Sequence, residues 1–343
     1  MKFAVGYWPA VGRQPTVTEI CKRFAEKIEE VYFPWAYAPS GRAPLGAALG
    51  QLDLEAQARL MEDLRCLRST GVKLDLLLNA SCYGGRGISV ALASEVYAIA
   101  AYLTEQVGLE AVTTTSPMVA YVIKRQFPDI EVRASVNMRI GTVKAMQYVA
   151  HLFDGFYVQR EFNRDLERIE ELSTWAALEG KKLYMLANSG CLNFCSCQTF
   201  HDNLVAHEAE VAGMRNLEGF NPAICWSYLA RRDNWPAILQ GSWVRPEDIG
   251  RYSSYFGATK LATRMHANPA VVVEAYCAGS YRGNLLDLLE PGHGPLLAPY
   301  AIDNGRFPPD WFDAVTTCDK RCHKCDYCRE VLDTVLVESV GLA

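Results

Sequence analysis

The stretch Lys73-Leu74-Asp75-Leu76-Leu77-Leu78-Asn79 indicates the fold class. A strand with one face in water alternates apolar and polar residues, and four leucines in the five positions 74–78 do not alternate in this way. We therefore predict a strand that is buried on both faces, as is typical of a parallel sheet covered by helices. Asn79 follows directly, so a polar side chain is expected at the carboxyl end of this strand.

Strand-like and helix-like segments alternate on both sides of this stretch. Eight strands separated mostly by helices predict a TIM-like (β/α)8 barrel over residues 1–286, an α/β fold. An open doubly wound sheet is the alternative, but no GxGxxG motif follows the first strand. The other predicted strands are Lys2–Tyr7, Glu30–Pro34, Glu110–Thr115, Glu131–Val136, Gly155–Arg160, Lys182–Ala187 and Gly257–Ala262. The predicted helices are Thr16–Glu29, Leu54–Ser69, Ser89–Val107, Pro117–Gln126, Thr142–Phe153, Arg164–Leu178 and Pro269–Tyr281.

The pattern changes after about residue 286. Five prolines between 291 and 309 predict an extended connector, followed by a cysteine-rich segment and a short helix over Glu330–Ser339. We expect residues 287–343 to form an appended extension with its own metal site.

Composition limits the class of protein. Half of the 343 residues are apolar and the net charge is −5, as in ordinary globular proteins. No apolar run approaches the roughly 18 residues that span a bilayer, and the first residues do not resemble a signal peptide. We therefore expect a cytoplasmic protein without a membrane partner, and the acidic charge gives no general attraction for nucleic acid. In that compartment the 12 cysteines are expected as metal ligands, catalytic groups or buried residues rather than disulfides.

The most compact group of cysteines lies in the extension. Cys318, Cys322, Cys325 and Cys328 fall within eleven residues, so the chain can wrap around one metal centre. A [4Fe–4S] cluster and a structural zinc both fit four thiolates. The spacing favours the cluster, because zinc sites more often use two separated CxxC pairs.

A second group of cysteines follows the predicted seventh strand, at the end of a barrel where active sites lie. Cys191, Cys195 and Cys197 are close in sequence, and with Cys225 they could hold another cluster. His201 and His207 lie nearby, and each is either a replacement ligand or an ordinary surface residue. Cys82, in the glycine-rich loop after the third strand, is left unassigned, and the three cysteines on predicted helices are expected in the core: Cys21, Cys66 and Cys277.

The order of four motifs is similar to that of the U32 (collagenase-like) peptidase family, which includes UbiU, UbiV and proteins of anaerobic RNA hydroxylation. Leu186–Cys191 resembles its "vHGalC" segment, and Ala258–Arg264 resembles its "slKIEGR" segment. The other two matching segments are Ala134–Asn137 and Val158–Glu161 with the helix 164–172. The resemblance implies a TIM-like barrel with a cysteine-bound [4Fe–4S] cluster at its mouth and oxygen-independent hydroxylation, with prephenate associated with several members as oxygen donor.

The chain departs from the family pattern at three places. The glutamate of the "slKIEGR" segment is Ala262 here, and a family cysteine falls where residues 244–250 contain none. The four-cysteine extension is not part of the family core, so it suggests a second cluster and electron transfer between the two.

Candidate catalytic side chains lie at the ends of the predicted strands. Arg160 can bind a substrate carboxylate with two charge-assisted bonds, or it pairs with Glu161 to close the mouth. Asn79 and Asn137 offer amide groups, and Arg264 adds a second cation. These side chains favour a small anionic substrate, and the family resemblance implies a prephenate-like one. The chain has no GxSxG or HExxH motif and no evident nucleophile–base pair, so true peptidase chemistry is not expected.

These observations predict an iron–sulfur redox enzyme that hydroxylates, or otherwise modifies, a small biosynthetic intermediate without dioxygen. The alternatives are an RNA-hydroxylating enzyme and a non-catalytic iron–sulfur subunit that works beside a protein partner of similar fold. Zinc at the C-terminal cysteines is the alternative cofactor.

Overall fold

Eight parallel strands form a closed barrel in the computed structural model, which describes residues 1–10, 12, 14–36, 38, 40 and 53–339. Each strand pairs with the next along the chain, and β1 pairs with β8 through Lys2 opposite Ala258 and Val5 opposite Leu261. The predicted TIM-like barrel is confirmed. The strands are β1 Lys2–Gly6, β2 Ile28–Pro34, β3 Lys73–Leu78, β4 Ala111–Thr114, β5 Glu131–Ala134, β6 Gly155–Tyr157, β7 Lys182–Leu186 and β8 Ala258–Leu261.

Strand β3 is buried on both faces, as its sequence predicts. Leu74, Leu76 and Leu78 belong to the large core between the barrel and its helices, whereas Leu77 packs inside the barrel. Asp75, the one charged residue of the run, is also buried. Since side chains alternate along a strand, Asp75 and Leu77 share the inner face.

Helices surround the barrel and also follow its seventh strand. Their ends agree with local sequence: α3 begins after the N-cap Ser89 and ends at Gly108, whose φ of 69° is left-handed. The helices are α1 Val17–Arg23, α2 Leu54–Ser69, α3 Val90–Val107, α4 Pro117–Gln126, α5 Val143–Val149, α6 Leu166–Leu178, α7 Gln198–Ala206, α8 Glu208–Ala212, α9 Ile224–Leu229, α10 Pro236–Leu239, α11 Pro269–Ala278, α12 Gly294–Leu297, α13 Trp311–Thr316 and α14 Tyr327–Val335. None of these helices combines the length and apolar character that a membrane span requires.

The extension after residue 286 is more ordered than predicted. The expected extended connector contains α12 and the strand β9, Tyr300–Ile302. The helix predicted to reach Ser339 ends at Val335, because the next three residues form β10, Leu336–Glu338, which pairs antiparallel with β9. Backbone pairing to a distant segment, which local sequence does not reveal, determines this boundary.

A second hydrophobic core joins the extension to the segment 229–243. Trp235, Leu239 and Trp243 pack there against residues of the extension. The rings of Trp243 and Trp311 are stacked with centroids 5.8 Å apart. The segment between β7 and β8 is therefore covered by the extension.

Candidate functional site

A cavity of about 170 Å³ lies at the carboxyl ends of the strands, where barrel enzymes keep their chemistry. It brings together four of the five predicted catalytic residues and one predicted cluster ligand: Asn79, Asn137, Arg160, Arg264 and Cys191. We call this space the mouth cavity. Its other polar lining residues are Tyr32, Ser135, Tyr157, Ser189, Gln198, His201, Asp202, Lys260, Thr263 and Glu290.

Arg160 connects the mouth cavity to the cysteines. Strand β6 ends at Tyr157, earlier than predicted, and Arg160 lies in the single 3-10 turn that follows, Arg160–Phe162. The side chain is buried, and one guanidinium nitrogen donates to the sulfur of Cys191 at 3.4 Å. This contact places a buried positive charge directly beside the sulfur of Cys191.

Glu161 does not lie at the mouth, contrary to the expectation that it would act beside Arg160. It is buried and lines a different cavity, together with Arg164 and the cysteines of the extension. Neighbouring residues of a tight turn point in different directions, and this turn replaces the strand end that the sequence predicts. No Arg160–Glu161 ion pair is found in the described parts of the chain that would close the mouth.

The amide candidates hold neighbouring strand ends together. The side-chain amide of Asn137 donates to the backbone oxygen of Asn79 at 3.3 Å, and the backbone nitrogen of Asn137 donates to Ser135 Oγ. Asn188 has a structural position, since its amide donates to Ala262 O at 3.1 Å and Leu288 O at 2.9 Å. These contacts fix the rim of the mouth cavity.

A buried charge network fills the barrel beneath the mouth. Arg133 lies 2.6 Å from Glu30 and 4.0 Å from Asp75, and Thr113 donates to Asp75 at 2.8 Å. Lys260 lies above these groups, with its Nζ 3.7 Å from the centre of the Tyr32 ring. Burial lowers the pKa of Lys260 to about 8 and raises that of Glu30 to about 7. Burial thus disfavours the charged form of both side chains at the floor of the mouth cavity.

This network is absent from the site residues that the sequence predicts. The sequence feature that could have revealed the network is a charged residue inside an otherwise apolar strand, as with Asp75 in the leucine run. Such a residue must be paired when it is buried, but its partners come from other strands and cannot be read from spacing.

The four cysteines of the extension line one cavity of about 290 Å³. The backbone nitrogen of Lys320 donates to Cys318 Sγ at 3.3 Å, and Lys320 has a left-handed φ of 61°. A non-glycine residue in that region is strained, and such strain is often found where a ligand site fixes the backbone. We call these residues the tail cysteines: Cys318, Cys322, Cys325 and Cys328.

Arg164 places a buried positive charge beside the tail cysteines. Its guanidinium donates to Trp243 O at 2.9 and 2.7 Å and to Leu239 O at 2.8 Å, and it lies over the rings of Trp243 and Trp311. Burial lowers the pKa of Arg164 to about 10 and raises that of the Cys328 thiol to about 11. The cation faces a group that becomes an anion when it binds a metal, so the charges suit a thiolate-bound centre.

The second cysteine group surrounds a neighbouring cavity of about 380 Å³. Cys195, Cys197 and Cys225 line it, whereas Cys191 lines the mouth cavity. The pKa of Cys225 is raised by burial and by the nearby Cys191 and Cys195 thiols, which places these three close together. Phe194, between Cys191 and Cys195, has a left-handed φ of 50°. We call these four the barrel cysteines.

The cavities of the tail and barrel cysteines adjoin each other. Asn193, Gln240, Lys320 and Cys322 line both. Within the described ranges, no three His, Cys, Asp or Glu side chains converge on a single point. A zinc ion needs four ligand atoms about 2.0–2.3 Å from one point, whereas an iron–sulfur cluster occupies the space between its cysteines.

The extension holds the loop that carries Cys191. Gly190 N donates to Glu290 O at 3.0 Å, and Glu290 N donates to Asn188 O at 3.0 Å. The Nε2 atom of the buried His293 lies 2.7 Å from Gly190 O. Glu290 and His293 could not be predicted from the sequence as part of this site, because they lie about 100 residues from the loop and carry no local motif.

The remaining histidine and cysteine candidates are separated by the fold. His201 lines the mouth cavity, whereas His207 contacts Cys82 instead. Cys21 and Cys277 are buried, as expected for core residues, but Cys66 is exposed and the prediction for it is wrong.

Known proteins resemble the chain in sequence and in fold, although no family model matches it. The uncharacterized protease MJ1657 of Methanocaldococcus jannaschii is 25% identical over 323 residues, or 93% of this chain and 92% of that protein. The solved structure of the U32 peptidase Mk0906 has a TM-score of 0.54 and 14% identity, and covers 76% of this chain and 92% of that one. The structural likeness shows the shared fold.

The sequence likeness extends over nearly the whole chain, and the four motif segments lie on the strands and turns that surround the mouth cavity. The chain is thus similar in sequence to MJ1657 and in fold to a U32 peptidase, and both likenesses agree with the resemblance of its motifs to the U32 peptidase family.

Proposed function

We propose that the protein is an iron–sulfur redox enzyme that binds a small anionic substrate in the mouth cavity and modifies it, by hydroxylation or a related reaction, without dioxygen. The position of Cys191 carries this proposal. It lines the mouth cavity, bonds to Arg160 and lies close to Cys195 and Cys225. A cluster on the barrel cysteines would thus border directly on the substrate space.

The lining of the mouth cavity supports an anionic substrate. Arg160, Lys260 and Arg264 bring three cationic side chains to one small space. Arginine binds carboxylates in a forked geometry, and a lysine with a pKa near 8 holds an anion when protonated and accepts a proton when neutral. A carboxylate such as prephenate, the compound that the family resemblance suggests, matches this chemistry.

The two cysteine groups would hold the redox centres. Cys191, Cys195, Cys197 and Cys225 would bind one [4Fe–4S] cluster, and the tail cysteines would bind a second. When bound, such clusters supply one-electron transfer. The shared wall of the two cavities supports electron exchange between the centres. The acidic net charge favours a small metabolite over RNA.

Anaerobic purification followed by iron and sulfide analysis and EPR tests the proposal. We expect about eight iron and eight sulfide per chain, since each cluster contains four of each. Cys191→Ala should lose one EPR signal and Cys325→Ala the other, while Cys66→Ala, at an exposed cysteine on α2, should lose neither.

Two results would overturn this proposal. Protein without iron or sulfide excludes both clusters, and stoichiometric zinc in the Cys325-dependent site replaces the second cluster with a structural metal. A protein that holds clusters but turns over only with a co-purifying barrel protein would be the electron-carrying subunit of a larger enzyme.

A further inference from the structure

Cys82 lies outside both cysteine groups and is placed beside a histidine. It is half-buried in the loop that follows β3, three residues after Asn79 of the mouth cavity. The imidazole of His207, which directly follows α7, lies against this loop and interacts with the Cys82 thiol: a Cβ atom on Gly84, two residues after Cys82, would stand 3.8 Å from His207 Cε1. The two residues are 125 positions apart in the sequence, and no local spacing reveals the pair.

Two further groups complete the arrangement. His207 Nδ1 lies 3.2 Å from Glu210 Oε2, so a carboxylate orients the ring. The backbone nitrogen of Gly84 donates to Cys82 Sγ at 3.4 Å. Gly84 has a left-handed φ of 56°, which a glycine adopts without strain and which aims this nitrogen at the sulfur. Thiol, imidazole and carboxylate thus stand in the order of a nucleophile, a base and its orienting group.

The charges of the pair support a reactive thiol. The hydrogen bond from His207, and then that from Gly84, lower the pKa of Cys82. The hydrogen bond to Cys82 raises the pKa of His207, and the contact with Glu210 adds to this. Both shifts favour a thiolate beside an imidazolium, and the thiolate is the nucleophilic form of cysteine.

We propose that Cys82, His207 and Glu210 form a nucleophilic thiol centre that exchanges with low-molecular-mass disulfides. The Cys82 thiolate attacks one sulfur of the disulfide, a new Sγ–S bond forms and the disulfide bond breaks. The leaving sulfur keeps the bonding electron pair and takes a proton from His207. Cys82 is thereby oxidised to a mixed disulfide and the other half of the reagent is reduced to a thiol, so no further reactant is needed.

The exposure of the site favours this substrate class. Glu210 has 68% of its side chain in solvent and Cys82 is half-buried, so a small reagent reaches the sulfur without an enclosing pocket. Ser81 Oγ lies 3.1 Å from Asn203 Oδ1, which ties the Cys82 loop to α7. The same helix supplies His201, Asp202 and Val205 to the mouth cavity.

The test measures the reaction of oxidised glutathione with each cysteine of the anaerobically purified holoprotein, by peptide mass spectrometry across a pH series. At about pH 6.5 we expect Cys82 to react several-fold faster than the exposed Cys66, because a lowered pKa increases the thiolate fraction more than it weakens the thiolate as a nucleophile. His207→Gln should slow Cys82 several-fold at that pH and move its rate profile to higher pH. Above the ordinary thiol pKa the variant should regain the wild-type rate, which also shows that it is folded.

His151→Gln, at an exposed histidine after α5, is the matched control and should leave the Cys82 profile unchanged. Equal rates for Cys82 and Cys66 at about pH 6.5 would overturn the proposal, and so would a Cys82 profile that His207→Gln does not shift. Because the readout is independent of iron content and turnover, its failure is distinct from failure of the iron–sulfur proposal.

Discussion

Arg133 shows how a single side chain stabilises several buried acids inside the barrel. It contacts Glu30 at 2.6 Å and Glu131 at 2.9 Å, and its guanidinium lies 4.4 Å from the centre of the Tyr184 ring. Burial alone would raise the pKa of Glu131, but Arg133, Lys182 and Tyr184 lower it to about 2. Glu131 therefore stays charged in the folded protein at pH values where an exposed glutamate would be protonated.

This shift predicts a pH-dependent loss of stability in Glu131→Gln. The pKa falls from 4.5 to about 2 on folding, so the carboxylate stabilises the folded state above pH 4.5 and this contribution disappears as pH falls toward 2. At neutral pH the variant should lose about 3 kcal/mol of unfolding free energy, measured by urea denaturation. Glu55→Gln, at a glutamate 88% exposed on α2, should change it little at any pH. A loss that is constant with pH would contradict the assignment.

At the scale of an element, the loop 188–191 depends on close packing against the extension. A Cβ atom on Gly190 would lie 2.0 Å from the backbone oxygen of Pro291 and 3.2 Å from Leu289 Cβ. Backbone atoms cannot move aside as the end of a side chain can, so only glycine fits here. The same loop carries Cys191 into contact with Arg160.

Gly190→Ala should therefore destabilise the protein and displace Cys191. We expect a loss of about 1–3 kcal/mol in the free energy of unfolding, which is typical of overpacking, and an altered EPR signal of the barrel-cysteine cluster. Gly250→Ala is the matched control, since a Cβ there meets nothing within 4 Å. An unchanged melting temperature and EPR spectrum in Gly190→Ala would show that the loop tolerates a shift.

For the whole molecule, the second hydrophobic core decides how strongly the extension is attached to the barrel. Trp311 lies at its centre, between the rings of Trp243 and Tyr327, and beneath the guanidinium of Arg164. The ring is almost fully buried. Removing it would leave a large void between the extension and the segment 229–243 and would loosen the support of the tail cysteines.

Trp311→Ala should cost about 3–5 kcal/mol of unfolding free energy, as other large-to-small core substitutions do. It should also increase the rate at which a chelator removes metal from the tail cysteines. Trp226→Ala, at a tryptophan 40% exposed on α9, should change stability by less than about 0.5 kcal/mol. Equal stability of the two variants would show that the extension is held by other contacts.

Strands and helices that leave a periodic pattern in the sequence could be predicted. Contacts between segments that are far apart in the sequence could not. The leucine run of β3 and the helices α2 and α4 were placed correctly because burial imposes a local repeat. Candidate mouth residues such as Asn79 and Arg264 followed from strand ends. Glu161 was misplaced because β6 ends three residues early, and the Arg133 network and the Cys82–His207 pair arise from contacts between distant segments.

The wall shared by the two cysteine cavities has a consequence for biosynthesis. Lys320 and Cys322 contribute to the cavity of the barrel cysteines, yet they leave the ribosome about 100 residues after Cys225. Strand β1 pairs with β8, so the barrel cannot close until β8 has also been synthesised. The nascent chain therefore exposes Cys191, Cys195 and Cys197 before their surroundings exist. A cofactor held by these cysteines, as proposed above, would therefore be inserted after synthesis of the chain rather than during it.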